Sequence, residues 1–401
     1  MKKKLLFVIN TLSRAGAETA LLEFLKKLDG REYEIYLYVL TGQGELIGEL
    51  PDYVRLLNSE FSGDSVLTGR GRRTLAKKVC LSFVRNGRFV HKFRYVMENL
   101  AVMVKDRRIQ ADKLFWRVLS DGAHRFDISF DLAVAWIEGG SAYYVADHVT
   151  ARRKAVLIHI DYENAGYTRG MDRDCFWKFE NIFVVSEETK QHFLNVYPEY
   201  AAKLDVFRNV VDQERICLKS REKGGFSDGY EGFRVLSVGR LTMQKGYDIA
   251  IDAMKLLKEK KYKIRWYVLG EGEQKKALQK KIQRLQLEED FFLLGQVENP
   301  YPYYAQADLY VHATRYEGKS IAIQEAQTLG CAVVASDCNG NREQIEDGMN
   351  GVLCELTPQA VAEEIEGLYL DGEKRKMLGK TAKKKEISYE EQFQLLQRLL
   401  E

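Results

Sequence analysis

Short and almost uninterrupted runs of apolar residues are the feature of this sequence that most restricts its fold. A strand with one face in water alternates apolar and polar residues, whereas a parallel strand covered by helices on both faces is apolar throughout. Twelve runs of the second kind alternate with longer helical patterns: 5–9, 35–40, 132–136, 155–160, 182–185, 205–207, 233–238, 265–269, 291–294, 309–312, 332–335 and 352–354. This alternation in both halves predicts an α/β protein with two doubly wound, Rossmann-like domains.

The length of 401 residues also favours two domains, because a single core rarely grows to that size. Residues 1–212 are predicted to form the first domain and residues 233–388 the second, joined by the polar, glycine-containing linker 213–232. A helical pattern at 389–401 is predicted to cross back to the first domain. The first domain carries an insert at about 66–125 that fits neither sheet, and its apolar spacing of threes and fours predicts helices.

Composition excludes several classes of protein. Apolar residues make up 45% and charged residues 30% of the chain, which is the balance of a folded soluble protein. The formal net charge of +3 gives no overall field that favours a nucleic-acid partner. The cysteines form no C-x-x-C pair, and the first apolar run is too short for an export signal or a membrane span. We therefore expect a cytoplasmic protein with reduced thiols.

A glycine, an arginine and a lysine closely follow the predicted strand 233–238. Gly239 and Arg240 come directly after it, and Lys245 lies five residues beyond the arginine. Open α/β sheets place ligands at the carboxyl ends of their parallel strands. A guanidinium there can grip a diphosphate in a bidentate way, and an ammonium adds a compact second charge. Considered alone, the two cations are equally well interpreted as solvated loop charges.

A second loop connects the predicted strand 309–312 to a helical pattern and contains Glu-Gly-Lys-Ser-Ile at 317–321. Ser320 is predicted to cap the helix, whose first free amides then form an anion site. Glu325 lies one to two turns into the helix and can accept hydrogen bonds from vicinal hydroxyls, as an acidic residue does with a ribose. Glu317 can contact sugar hydroxyls or a developing positive charge, and the alternative is an ordinary capping role.

The two segments together resemble a known site. Val-Gly-Arg-Leu-x-x-x-Lys-Gly at 238–246, followed by Glu-Gly, six residues and Glu-Ala at 317–326, is similar to the nucleotide-sugar site of the family 4 (group 1) retaining glycosyltransferases of GT-B fold. Ser-Arg-Ala-Gly-Ala-Glu at 13–18 resembles that family's glycine-rich turn after the first strand, and 154–161 resembles its histidine-bearing strand end. Similar motifs at 185–187, 207–212, 295–297, 307–309, 334–337 and 348–351 extend the resemblance over nearly the whole chain.

The resemblance implies two facing Rossmann-like domains with an interdomain cleft, and a role for each site residue. The residues implied for the donor diphosphate are Gly16, Arg240, Lys245, Lys319, Ser320 and Ile321. Glu325 is implied for the nucleotide ribose. Glu317 and His159 are the implied catalytic residues, the first at the reacting side of the donor sugar and the second beside its primary hydroxyl and the acceptor. Without the resemblance, His159 is better interpreted as a structural imidazole, and the other histidines, including His312, are assigned no role.

The implied reaction transfers a sugar from a nucleotide diphosphate donor, expected to be UDP-linked, to a hydroxyl of a glycan or a lipid-linked acceptor in cell-surface polysaccharide or glycoconjugate synthesis. The first domain is expected to bind the acceptor, and the anomeric configuration to be retained. No metal or cofactor is expected, because the two cations and the helix dipole replace a divalent ion. Ala15 and the pair Lys319-Ser320 depart from commoner family sequences and leave the donor sugar open. A GT-B sugar-nucleotide epimerase and a non-catalytic sugar-nucleotide-binding protein are the alternatives.

The insert at 66–125 is basic, with fifteen Lys or Arg residues against four Asp or Glu residues. Three interpretations are open: a solvated surface, an RNA-binding surface, and a surface that docks on anionic lipid. No aromatic platform accompanies the charge, which disfavours RNA. A lipid-linked acceptor favours the third interpretation, so we expect a cytoplasmic protein that is peripheral on the inner face of the plasma membrane.

Overall fold

The computed structural model describes residues 2–66, 68–105, 110–163, 165–209, 211–338, 340–384 and 390–401. The chain divides into two compact units. The first comprises Met1–Val210 with Tyr389–Glu401, and the second comprises Val211–Ser388. Each unit has its own parallel sheet and its own apolar core.

The described part of the first unit contains a parallel sheet of seven strands in the order β3-β2-β1-β4-β5-β6-β7. The strands are β1 Lys3–Ile9, β2 Tyr33–Val39, β3 Val54–Leu56, β4 Ser129–Ala135, β5 Thr150–Ile158, β6 Asn181–Val184 and β7 Leu204–Val206. The helices are α1 Gly16–Lys27, α2 Gly69–Val84, α3 Phe89–Lys105, α4 Ala111–Gly122, α5 Gly140–His148, α6 Arg169–Asp172 and α7 Glu187–Val196, with 3-10 turns at Glu45–Glu49, Phe176–Lys178 and Pro198–Lys203. The central strand β1 is fully buried from Leu5 to Ile9, as a strand covered on both faces must be.

The described part of the second unit contains a parallel sheet of six strands in the order β10-β9-β8-β11-β12-β13. The strands are β8 Phe233–Val238, β9 Ile264–Leu269, β10 Phe291–Gly295, β11 Leu309–His312, β12 Val333–Ser336 and β13 Val352–Cys354. The helices are α8 Gln213–Lys219, α9 Tyr247–Glu259, α10 Lys275–Arg284, α11 Tyr301–Gln306, α12 Ile321–Leu329, α13 Pro358–Leu370 and α14 Gly372–Lys383, with a 3-10 turn at Met243–Lys245. The strand order places β8 beside β11, although some seventy residues separate them in the chain.

The fold class predicted from the sequence, two Rossmann-like α/β domains, is confirmed. Each of the twelve predicted strands is present, with ends that differ by a few residues. The sequence analysis missed β3, which has three residues and of these only Val54 is buried. A strand that short contains no apolar run to detect. The interdomain cleft stays a prediction.

The stretch predicted as the linker, 213–232, begins with the helix α8 instead of extended chain. The Asp212 side chain caps α8 by accepting a hydrogen bond of 2.9 Å from the Arg215 amide. Ile216 is buried in the core of the second unit. Because one buried residue produces no periodic pattern, the polar composition of this stretch concealed the helix. Val210, part of the motif at 207–212, lies outside the described residues.

The helix α15, Glu390–Leu400, belongs to the first unit. Its Phe393 ring stacks on Phe24 of α1 at a centroid distance of 5.3 Å. The Lys3 ammonium at the start of β1 donates to the Leu400 carbonyl at 2.5 Å. Residue 389, where the predicted C-terminal helix began, lies outside the described residues.

The basic insert folds into α2, α3 and α4, which pack against one another. Its residues 67 and 106–109 lie outside the described residues. Over the part of the chain that the structure describes, no helix combines the length and the apolar character needed to cross a bilayer.

Candidate active site

Three side chains of the second unit meet at the carboxyl ends of β8 and β11. Lys245, in the 3-10 turn after β8, forms an ion pair with Glu317, in the loop after β11. His312, the last residue of β11, places its Nε2 atom 3.3 Å from Glu317 Oε2. The three side chains are 14%, 15% and 4% exposed respectively. Two predicted site residues thus contact each other. His312, which was assigned no role, completes what we call the Lys–Glu–His cluster.

Opposing effects set the charges in the Lys–Glu–His cluster. Burial by itself raises the pKa of the Glu317 carboxyl, but the Lys245 ammonium and the hydrogen bond with His312 outweigh it and lower the pKa to about 2. Burial lowers the pKa of His312, and the Lys245 charge lowers it further. A neutral His312 donates from Nε2 to Glu317 and accepts at Nδ1 from the Tyr310 hydroxyl, 3.1 Å away. Glu317 is therefore a carboxylate and His312 is neutral at pH 7.

Hydrogen bonds join the loops that carry the cluster. The backbone carbonyl of Gln244 accepts from the Arg315 amide at 2.7 Å and from the Thr314 hydroxyl at 3.0 Å. The Arg315 guanidinium forms a bidentate ion pair with Asp248 of α9, at 2.7 and 2.9 Å. The loop after β8 and the loop after β11 are thereby held as one unit.

Gly246 allows the loop after β8 to approach β11 closely. Its φ angle is +60°, in the left-handed region that favours glycine. A Cβ atom at this position would lie 2.0 Å from the carbonyl oxygen of Ala313, which directly follows β11. Any larger residue must therefore move the turn that carries Lys245.

Arg240 also lies at the carboxyl end of β8, but its surroundings differ from those of Lys245. Its side chain is exposed, and it makes no hydrogen bond or ion pair with any residue that the structure describes. A guanidinium in this position remains available to an anionic ligand.

The helix α12 begins beside the same loop. The hydroxyl of Ser320 accepts from the Ile323 amide at 3.4 Å, so the predicted cap is confirmed. Lys319, Ser320 and Ile321 therefore lie at the positive end of a helix, where backbone amides favour an anion.

Glu325 is buried on α12, with 8% of its surface exposed. Its Oε1 accepts from the Tyr301 hydroxyl and its Oε2 from the Tyr304 hydroxyl, both at 3.1 Å. These tyrosines of α11 hold the carboxylate in one orientation. Because each carboxylate oxygen can accept more than one hydrogen bond, these contacts leave acceptor capacity for a ligand hydroxyl.

Gly16 is the first residue of α1 in the first unit, in the turn that follows β1. Ala15, at the N-cap position, has no side chain that can bond the first amides of this helix. The indole of Trp136 donates to the Ala17 carbonyl at 3.0 Å and fixes the turn against β4. The anion site expected at Gly16 stays a prediction.

His159 follows β5 in the first unit, and its backbone amide donates to Glu138 Oε2 at 3.0 Å. Burial lowers the pKa of the His159 imidazole to about 4, although a hydrogen bond with the Trp136 backbone acts in the opposite direction. Its Nε2 atom is buried and finds no hydrogen-bond partner among the described residues. Burial raises the pKa of Glu138, a residue that no sequence motif singled out.

The predicted site residues thus fall into two groups. Gly16 and His159 belong to the first unit, and the others belong to the second, at the carboxyl ends of β8 and β11 and on α12. Within the second unit, contact is direct for Lys245 and Glu317.

Another histidine of the first unit, His192, has acidic neighbours. His192 Nδ1 lies 2.9 Å from Asp161 Oδ1 and 3.0 Å from Glu163 Oε2, and one potential ligand atom of each residue lies within 4.8 Å of the others. The sequence analysis gave His192 no role. The distances are those of hydrogen bonds from one ring nitrogen to two carboxylates.

Comparison with known proteins identifies the domain that carries the Lys–Glu–His cluster. Residues 221–385 match the family model described as glycosyl transferases group 1. One relative is the N-acetylgalactosamine-N,N'-diacetylbacillosaminyl-diphospho-undecaprenol 4-alpha-N-acetylgalactosaminyltransferase of Campylobacter jejuni, 36% identical over 38% of this chain and 40% of its own length. Another is the amylovoran biosynthesis glycosyltransferase AmsK of Erwinia amylovora, 31% identical over 43% of each chain. The chain thus matches less than half the length of these curated relatives.

Solved structures are similar over the whole chain. One of them is HepE of Anabaena in complex with UDP and glucose. Its alignment with this protein covers 99% of each chain, with a TM-score of 0.69 and 18% sequence identity. At that identity the similarity establishes the fold, which is the GT-B arrangement of two Rossmann-like domains. The chain therefore has the GT-B fold, and its residues 221–385 match the family model of the group 1 glycosyl transferases.

Proposed function

We propose that this protein is a retaining glycosyltransferase that transfers a sugar from a UDP-linked donor to a hydroxyl of a glycan or lipid-linked acceptor. The observation that carries the proposal is the Lys–Glu–His cluster, which lies inside a group 1 glycosyl transferase domain at the carboxyl ends of two neighbouring strands. Ligands of open α/β sheets bind at such strand ends.

The groups around the cluster suit a nucleoside diphosphate. Arg240 supplies an exposed guanidinium, Lys245 an ammonium, and the N-terminus of α12 a set of backbone amides. Glu325, held by two tyrosine hydroxyls, is the proposed acceptor for the ribose hydroxyls. UDP is the proposed nucleotide because HepE is bound to UDP and glucose.

The leaving group is a diphosphate, and its charge must be stabilised as the bond to the anomeric carbon breaks. We assign this task to Arg240, Lys245 and the positive end of α12, without a metal or another cofactor. The incoming acceptor oxygen attacks the anomeric carbon on the face that the diphosphate leaves, and its proton passes to the departing phosphate oxygen.

Glu317 is the proposed catalytic carboxylate. Its low pKa keeps it ionised, so it can hold donor hydroxyls and stabilise positive charge that develops at the anomeric carbon. His159 is proposed to act on the acceptor side. Its imidazole is neutral, and its buried Nε2 has no hydrogen-bond partner among the described residues. This nitrogen can therefore form one hydrogen bond with a sugar hydroxyl, as donor or as acceptor.

A lipid-linked acceptor is proposed from the Campylobacter relative, whose name specifies a diphospho-undecaprenol substrate, and a role in polysaccharide synthesis from the amylovoran relative. Such an acceptor places the enzyme at the cytoplasmic face of a membrane. The basic insert is the proposed membrane-facing surface.

Thermal-shift measurements with UDP, ADP, GDP and a panel of UDP-sugars test the donor site. UDP and one UDP-sugar should raise the melting temperature more than the other nucleotides do. Transfer from the stabilising donor should then be lost in Glu317→Gln and kept in Glu288→Gln, an exposed carboxylate on the same unit. Full turnover by Glu317→Gln would refute the assigned role. A donor that binds without transfer or hydrolysis in the wild type would favour a non-catalytic binding protein.

A further inference from the structure

A cavity of about 350 Å³ opens in the basic insert of the first unit. It is lined by Arg88, His91, Lys92, Arg94, Tyr95, Glu98, Arg117, Val118, Asp121 and Arg173. The lining therefore contains five Lys or Arg side chains and two carboxylates. A concave site with this balance favours an anion.

The floor of the cavity is built from buried cations that already have partners. The Lys92 ammonium is 3% exposed and donates to the carbonyls of Ser82 and Arg85, both at 2.6 Å, at the end of α2. Arg117 is 7% exposed, and it pairs with Asp147 at 2.8 Å. These contacts fix the floor; the partners of Lys92 are neutral carbonyls that leave its charge in place, whereas Asp147 offsets the charge of Arg117.

The rim carries cations that remain available. The Arg88 side chain makes no hydrogen bond or ion pair with any described residue, and the Arg173 guanidinium lies over the face of Tyr95 at 4.8 Å without an acidic partner there. Both arginines have positive φ angles, +58° and +49°, which residues with a side chain rarely adopt. Five of the described residues other than glycine have a positive φ angle, and Arg88 and Arg173 are two of them.

The outer side of α3, directly beside the cavity, is apolar. Phe89, Val90, Phe93 and Met97 are 51%, 73%, 52% and 48% exposed, although the opposite side of the helix is already buried in the first unit. An exposed apolar surface of this kind marks an interaction site. Basic side chains beside a row of exposed apolar ones are the pattern of a helix that lies in a membrane interface.

We propose that the cavity binds the diphosphate head group of the lipid-linked acceptor while the apolar side of α3 enters the lipid. The inference rests on the proposed function, in that it takes a lipid-linked acceptor as the substrate. Arg88 and Arg173 would grip the phosphate oxygens, since guanidinium groups bind phosphate in a bidentate way. The buried charge of Lys92, which has only neutral carbonyl partners, would add attraction from below.

Vesicle sedimentation of the full chain tests the proposal. The probes are phosphatidylcholine vesicles alone, vesicles that also contain phosphatidylglycerol, and vesicles that contain a polyprenyl diphosphate at the same surface charge. The diphosphate vesicles should bind the wild type most tightly. The double variant Arg88→Gln/Arg173→Gln should bind them at least about tenfold more weakly, because two charged hydrogen-bond donors are lost.

The matched control is Arg72→Gln/Arg73→Gln, which removes the same charge from exposed positions on α2 outside the cavity. It should bind diphosphate vesicles nearly as the wild type does. Equal losses in the two double variants, or equal wild-type binding to both kinds of anionic vesicle, would show general attraction to a charged surface and overturn the proposed site.

Thermal shift by UDP on the same variants separates this inference from the proposed function. UDP should stabilise both double variants as it does the wild type, because the changes lie outside the second unit. Stabilisation by UDP without binding to diphosphate vesicles would overturn the cavity assignment alone. Vesicle binding without any nucleotide effect would support the cavity and count against the proposed donor site.

Discussion

Replacing Glu317 by glutamine should destabilise the second unit because it removes one partner of a buried ion pair. Glutamine has the shape of the protonated acid, so the change mimics protonation without creating a cavity. The Lys245 ammonium, which is 14% exposed, would then lie beside a neutral amide. Removing one partner of such a pair leaves a charge that water cannot fully solvate.

The pKa of Glu317 sets the expected magnitude. Its folded value of about 2 lies below the ordinary value of 4.5, so the folded state favours the ionised form. The resulting stability is fully present above pH 4.5 and is lost as the pH falls towards 2. At about 1.4 kcal/mol for each pH unit, the contribution at pH 7 is roughly 3 kcal/mol.

Hydrogen exchange measures this free energy for the second unit separately. The slowest amides of β8 and β11 report its unfolding, and a loss of roughly 3 kcal/mol should speed their exchange by about a hundredfold at pH 7. Amides of β1 and β4 in the first unit serve as the internal reference. Glu288→Gln, at an exposed position, should leave both sets unchanged.

A double-mutant cycle with Lys245→Met identifies the cause. In the Lys245→Met background, Glu317→Gln should lower the free energy of unfolding of the second unit much less, because no unpaired ammonium remains. Unchanged exchange in Glu317→Gln, or the same cost with and without Lys245, would refute the assignment of this stability to the ion pair.

Three further results are expected. Gly246→Ala should weaken donor binding in calorimetry, since its methyl group would meet the Ala313 carbonyl, whereas Gly229→Ala, at a similar φ angle of +62° with nothing within 4 Å, should not. EDTA should leave transfer unchanged, and a loss of transfer that a divalent cation restores would contradict the proposed metal-independent reaction and direct attention to the carboxylates around His192. The pH profile of kcat/KM should show no titration of His159 between pH 5 and 8, because burial lowers its pKa to about 4; a step near 6.5 that disappears in His159→Asn would show a solvated imidazole.

The sheets could be predicted from the sequence because parallel strands covered on both faces leave long apolar runs, as at 233–238 and 309–312. The cap at Ser320 was also predictable, since it depends on residues three positions apart. Local patterns of this kind need no knowledge of the topology.

The Lys–Glu–His cluster could not be predicted in full, because it depends on strand order. Lys245 reaches Glu317 only because β8 and β11 are neighbours in the sheet. Neither segment contains a local sequence pattern that predicts this strand pairing. His312 appeared to be an isolated histidine for the same reason. Glu138 joins His159 through the adjacent strands β4 and β5, and it too lacks a local signal.

The helix α15 makes the first unit discontinuous in sequence, since it follows the whole second unit along the chain. During synthesis on the ribosome, the second unit emerges as one uninterrupted segment and can fold as soon as it is complete. Until Phe393 has been translated, the first unit lacks the ring that stacks on Phe24, although Phe7, Trp136 and Phe207 can already pack against Phe24. Although its seven strands are made first, the amino-terminal unit is therefore completed last, and a nascent chain halted before α15 lacks the Phe24–Phe393 contact.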